Sequence, residues 1–139
     1  MLHALMVIVI VEMNIVDFID GNRHLKAMYP DGISGEVLLG QIGFDAEGRV
    51  SLHIHTRQKP AIEIAKWGKW EKQFNVVVIK LLGRGGDLVR INNWKHVAFN
   101  SFDAFPEGNS FLIVQHGDGW DIELSFSGLI FQGCDVYLS

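Results

Sequence analysis

Lys66-Trp67-Gly68-Lys69-Trp70-Glu71-Lys72-Gln73-Phe74-Asn75-Val76-Val77-Val78-Ile79-Lys80-Leu81-Leu82 opens with two tryptophans among lysines and closes on an apolar run. The second half decides the fold. Phe74–Leu82 is apolar on both alternating faces, as expected of a strand with neighbours on either side and material packed above and below it. The first half has the character of a surface anchor. Neither half contains a catalytic motif.

Outward from this run, the chain alternates strand patterns with turn residues. Glu36–Phe44 reads as a strand, Asp45-Ala46-Glu47-Gly48 as a hairpin loop, and Arg49–Arg57 as the returning strand. In the latter, Val50, Leu52 and Ile54 face inward and Ser51, His53 and His55 outward. Gly83-Arg84-Gly85-Gly86 reads as a turn, Asp87–Asn92 as the strand after it, and Trp94–Asn100 as a further strand or corner. Ser101–Asn109 is polar and reads as a loop. Ser110–His116 leads through Gly117-Asp118-Gly119 into Trp120–Ser127, where Trp120, Ile122, Leu124 and Phe126 point in and Asp121, Glu123 and Ser125 point out. Leu129–Leu138 closes the sheet. Upstream, Asn14 is a helix cap, and Ile15, Phe18, Ile19, Leu25 and Tyr29 follow a helical period that Gly21 interrupts and Pro30 ends. The expectation is a mainly β (α+β) domain: a short N-terminal helical segment, then about eight mostly antiparallel strands in a sandwich or curved sheet.

Composition agrees with one domain. The chain has 139 residues, 48% apolar and 20% charged, enough for a single core. Nine Phe and four Trp favour strands, and fifteen Gly favour tight turns. Residues 1–12 are almost wholly apolar, too short to span a bilayer as a helix, and lack the basic start and cleavage site of a signal peptide. They read as an N-terminal extension to a domain covering 13–139, and no membrane partner is expected. The single Cys134 excludes an intrachain disulfide and a multi-cysteine zinc site, and reads as a small buried residue.

Charge is unevenly spread. Arg57, Lys59, Lys66, Lys69, Lys72 and Lys80 stand against only Glu63 and Glu71, whereas no Lys or Arg follows Lys95. The acidic final third, with Asp103, Glu107, Asp118, Asp121, Glu123 and Asp135, would repel phosphates, so nucleic acid is not the expected partner. It suits a basic one.

Candidate chemistry is sparse. His53 and His55 share one strand face, but a metal site needs a third ligand; His116 and His96 are the remaining options. Gly83–Gly86 lacks the Lys-Ser/Thr ending of a phosphate loop and precedes a strand. Asp121 and Glu123 resemble a carboxylate pair but lack a partner nucleophile. Trp67 and Trp94 read as core residues at the rim of the sheet, and Trp70 as either core or interface anchor. No catalytic residue, metal or cofactor emerges.

In linear order these pieces resemble the immunity protein 50 family of bacterial polymorphic toxin systems. The resemblance rests on Leu25 and Tyr29, the Asp45–Leu52 hairpin, Lys59-Pro60, Trp67 leading into Phe74-Asn75-Val76-Val77-Val78-Ile79-Lys80-Leu81, Leu88–Trp94, Ile122–Phe126 and Cys134-Asp135-Val136-Tyr137. It covers roughly residues 14–138, with Trp67, Asn75 and Trp94 as its markers. The apolar extension and Trp70 depart from the pattern. The resemblance implies a cytoplasmic, non-catalytic protein that binds a cognate toxin domain and blocks it. Charge directs the contact to Asp118, Asp121 and Glu123, with Trp70 as a further candidate. Two other classes stay open: a small-ligand or metal-binding β protein or enzyme using His53, His55 and His116, and a homo-oligomeric scaffold pairing through a sheet edge.

Overall fold

A computed structural model describes residues 14–139; the apolar extension lies outside the described residues. The described chain contains seven strands: β1 (Ile19–Asp20), β2 (Glu36–Phe44), β3 (Arg49–Thr56), β4 (Val76–Asn92), β5 (Asn100–Glu107), β6 (Ser110–Gly117) and β7 (Trp120–Tyr137). One short helix, α1 (Arg23–Met28), lies between β1 and β2. The mainly β class with a helical start is as expected.

Of the sandwich and the curved sheet expected, the curved sheet is found, closed into a ring. Six strands pair in the circuit β7–β4–β3–β2–β5–β6–β7, and β1 adds a parallel pairing at Leu129 and Ile130. Two long strands make closure possible. The first half of β4 pairs with β3 and with the second half of β7, while its second half pairs with residues Asp121 to Phe126 of β7. That same part of β7 pairs with β6 on its other side. The thinnest seam is β2–β5, held by the two pairs Glu36–Ser101 and Val37–Asn100.

Inward residues follow the expected alternation. Val50, Leu52, Ile54, Ile122, Leu124 and Phe126 are all buried. They join Val77, Ile79, Leu81, Phe111, Ile113 and the helical residues Leu25, Met28 and Tyr29 in one core. A single contiguous cluster of this kind is the main source of stability, because it removes the most apolar area from water.

Five expectations fail. Gly83–Gly86 is no turn: β4 runs straight through it to Asn92. Between Gly85, opposite Phe126, and Val89, opposite Leu124, β4 carries extra residues as a bulge. The bulge folds over β7, so Ser125 is buried although its neighbours' alternation points it outward. Its Oγ accepts from the Leu88 N–H at 2.9 Å. The Trp120–Ser127 and Leu129–Leu138 segments are likewise one strand, β7. Ser101–Asn109 is mostly strand: Phe102 and Ala104 turn inward while Asp103 and Phe105 face solvent. Trp94–His96 is a 3-10 turn, and Trp94 lies 43% exposed instead of in the core.

The start forms a capped 3-10 turn, Ile15–Phe18, and then α1, but Ile19, expected on the helical period, lies in β1 paired with Leu129. Asn14 Oδ1 accepts from the Val16 and Ile33 N–H groups, both at 3.1 Å, and its Nδ2 donates to the Ile33 carbonyl. Asp17 closes the reciprocal cap. Gly32, at φ +84°, sits where a Cβ would collide with the Asn14 amide.

Candidate functional site: the outer face of β5, β6, β7 and β4

Register places the acidic residues on one face. Asp103 on β5 stands opposite Val114 on β6, Val114 opposite Glu123 on β7, and Glu123 opposite Arg90 on β4. A parallel row holds Phe105, Leu112 and Ser125. A third holds His116, Asp121 and Asn92. Because side chains at register positions point to the same face, these rows form one continuous outer wall. Asp103, Phe105 and His116 are exposed; Val114, Leu112, Asp121 and Glu123 are half-buried.

The acids are held differently. The Glu123 carboxylate is 3.5 Å from the Arg90 guanidinium. Both Asp121 oxygens lie within reach of the Asn92 amide, at 3.1 and 3.2 Å. Asp118 is exposed in the β6–β7 hairpin at the end of the wall.

Trp94 borders that hairpin. Its turn follows Asn93, a left-handed residue at φ +56° whose Nδ2 donates to the Gly119 carbonyl at 2.6 Å. That bond ties the turn, with its exposed Trp94, to the β6–β7 hairpin. Sequence reasoning missed this feature, as it missed Phe105 (43% exposed). Phe105 lies in a segment that reads as a polar loop, and Trp94 reads as a core residue at a strand or corner. The wall thus combines carboxylates, aliphatic surface and the exposed Phe105, a mixture suited to protein recognition.

Trp70 is elsewhere. It lies half-buried on the β3–β4 connection, edge-on to Phe74 with ring centroids 5.3 Å apart; Trp67 packs on the same ring at 5.8 Å and is 9% exposed. Trp67 is therefore core, as expected. Asn75 is structural too: its N–H donates to the Tyr137 carbonyl and its Oδ1 accepts from the Ser139 N–H.

The three histidines do not converge. His53 and His55 face outward on β3, whereas His116 faces outward on β6, three strands away around the ring in either direction. Among the described residues, no group of three His, Cys, Asp or Glu is placed to hold a metal ion. Instead, His55 Nδ1 lies 2.8 Å from the Tyr137 hydroxyl. Burial and the neighbouring His53 lower the His55 pKa; burial and Lys80 lower that of His53, against an opposing pull from Asp135. The half-buried Cys134 thiol is pushed up to about 12 by burial and by Asp135, which leaves it protonated and unreactive. Asp135 is itself ion-paired with Lys80.

Among the described residues, no helix is long and apolar enough to cross a membrane. Comparison with family models, with curated proteins and with solved structures finds no match to this chain.

Proposed function

We propose that the protein is a cytoplasmic, non-catalytic immunity protein that neutralises a cognate bacterial toxin domain by covering its active surface. The observation that carries this reading is the outer wall, where Asp103, Asp121 and Glu123 share one face with Val114, Leu112 and the exposed Phe105. A standard interface needs roughly 800 Å² per partner, and this four-strand face is the surface assigned to it. Acidic groups around an apolar centre would steer a basic toxin, such as a nuclease, into register and exclude wrong partners. The family resemblance points the same way. Blocking requires no chemistry from the protein itself, only a surface that fits and holds.

Co-expression is the test. A toxin domain encoded beside this gene should arrest growth alone and lose its effect when this chain is produced with it. Continued arrest, with both proteins folded and present, would refute the proposal.

A further inference from the structure

Ring closure still leaves stretches of sheet edge with a strand on one side only. Among the described residues, Val89–Asn92 of β4 pairs with β7 alone, Phe102–Glu107 of β5 with β6 alone, and Phe131–Tyr137 of β7 with β4 alone. Leu38–Phe44 of β2 has β3 on one side, and β5 meets β2 only at Glu36 and Val37. An open edge invites another strand, and proteins blunt such edges with charge, proline or irregularity. Arg90 guards the β4 edge, Asp103, Pro106 and Glu107 the β5 edge, and Asp135 the β7 edge. The β2 edge, Leu38-Leu39-Gly40-Gln41-Ile42-Gly43-Phe44, carries no charge and no proline. Its one irregularity is the unpaired Gly40, which leaves Gln41–Phe44 in regular register with β3.

The hairpin fixes where the main-chain groups of this edge point. The Asp45 N–H donates to the Arg49 carbonyl at 3.0 Å and closes the β2–β3 turn. Bonded and unbonded pairs alternate along an antiparallel ladder. Gly43–Ser51 is therefore a bonded pair, whereas Phe44–Val50 and Ile42–Leu52 are not. The N–H and C=O groups of Ile42 and Phe44 are thus directed away from β3, to the open side. Both side chains lie on the inner face, opposite the buried Leu52 and Val50. Ile42 is half-buried against the core, but Phe44 is 52% exposed. One short segment therefore offers free main-chain bonds and uncovered apolar surface together.

We propose that two copies of this chain join through the β2 edge, antiparallel, about a two-fold axis at Gly43. The segment is complementary to itself in that register. Ile42 stands opposite the partner's Phe44 and Phe44 opposite the partner's Ile42, so each aromatic ring meets a β-branched side chain on the inner face. These are the residues whose main-chain groups face the edge, so both pairs are hydrogen-bonded. Gly43 meets its own copy and puts no side chain between the strands. Gln41 meets the partner's Asp45, a carboxylate already held by Arg49. Moving the axis to Ile42 would set Phe44 against the partner's unpaired Gly40 and lose both aromatic contacts. A second copy is favoured over a different protein because one sequence supplies both halves of the match. The chain carries a net charge of -4, so copies repel elsewhere and approach most easily at an uncharged edge. The dimer does not depend on the toxin-binding reading, whose wall lies on β5, β6, β7 and β4.

Sedimentation equilibrium of the full chain should show reversible association to twice the 15.6 kDa of one chain. Phe44→Lys sets an unpaired charge on the edge and should weaken the dimer about a hundredfold, whereas Phe44→Leu should keep it. Far-ultraviolet circular dichroism of Phe44→Lys should match the parent, which separates loss of pairing from loss of fold. Cross-linking reads the register. In a Cys134→Ala background, Gly43→Cys should give a disulfide-linked dimer on mild oxidation, because facing Cα atoms of an unbonded antiparallel pair lie about 4.5 Å apart. The nearest obstacle to a Cβ at Gly43 is Ser51 Oγ at 2.7 Å, the movable end of a short side chain. Gln41→Cys should not cross-link, since its two copies are offset by about 13 Å along the strands. The proposal is overturned if the parent stays monomeric at high concentration, if Phe44→Lys dimerises as tightly as the parent, if Gln41→Cys cross-links in place of Gly43→Cys, or if association runs past the dimer into open-ended assemblies.

Discussion

Glu123 on β7 and Arg90 on β4 face one another across the sheet, carboxylate to guanidinium at 3.5 Å. Two residues along β7, Asp121 is held by the neutral Asn92 amide instead. The two acids therefore differ in what they offer a basic partner. Arg90 offsets much of the Glu123 charge, while Asp121 keeps its own. Asp121→Asn should slow association with a basic toxin more than Glu123→Gln does. Arg90→Ala should speed it. Stopped-flow association rates at low salt read this order directly, and equal effects of the two acid variants would contradict it.

The β2–β5 seam rests on few backbone pairs, and Gln115 reinforces it. This residue is 1% exposed, and its Nε2 donates to both the Val37 and Asn100 carbonyls at 2.9 Å. Its Oε1 has no partner. Gln115→Leu should lower stability by about 1–3 kcal/mol, towards the smaller end because the orphan oxygen goes as well. The urea midpoint checks the size. Faster amide exchange confined to the start of β2 and of β5 would locate the effect at the seam.

Two tryptophans should separate stability from binding. Trp67 fills the core against Phe74, so Trp67→Ala should cost about 3–5 kcal/mol. Trp94 is exposed on its turn, so Trp94→Ala should cost under about 1 kcal/mol in denaturant titration. Its effect should fall on partner affinity, by about 2 kcal/mol if it anchors the interface. A large stability loss for Trp94→Ala would contradict its placement.

Acid should destabilise the fold in two stages. His53 and His55 titrate below 6.5 in the folded chain, chiefly because of burial. As pH falls from 6.5 through their folded values, the unfolded chain gains protons that the folded chain does not, so stability declines. Asp45, held down by hydrogen bonds from Arg49, and Asp135, held down by Lys80, stay ionised to lower pH. Their contribution is present above the unfolded carboxylate pKa and is lost as pH falls through the folded one. Melting temperature against pH should show both declines. In a His53→Gln, His55→Gln variant the first should flatten, and an unchanged profile would place its origin elsewhere.

Local pattern made much of this legible. The β2–β3 hairpin was readable because strict alternation flanks Asp45-Ala46-Glu47-Gly48, whose Asp45 side chain then accepts from the Glu47 and Arg49 N–H groups. The β6–β7 hairpin and the inward set from Trp120 to Phe126 were readable for the same reason. The two long strands were not. Glycines at 83, 85 and 86 have turn composition, yet here glycine serves close approach: a Cβ on Gly83 would strike the Gly128 carbonyl, and one on Gly86 the Ser125 side chain. Only the partner strand reveals that. Closure of the ring depends on which strands pair at long range, and no local period encodes it.

The candidate wall was half legible. Charge asymmetry picked out Asp118, Asp121 and Glu123, but Asp103 and Phe105 join them only through the β5–β6 register. The exposure of Trp94 follows from the left-handed Asn93 and its bond to Gly119, a tertiary fact. The alternative that used His53, His55 and His116 needed them together, and ring topology puts β3 and β6 on opposite sides.

The most direct test of the proposed toxin binding is calorimetric titration of a candidate toxin domain, if one is encoded beside this gene, with the parent chain and with an Asp103→Lys, Asp121→Lys variant. Asp103 is exposed and Asp121 half-buried beside Asn92, so thermal unfolding is measured alongside to separate loss of binding from loss of fold. The account predicts tight binding by the parent and a loss of about a hundredfold or more in the variant. Equal affinity for the two would contradict it.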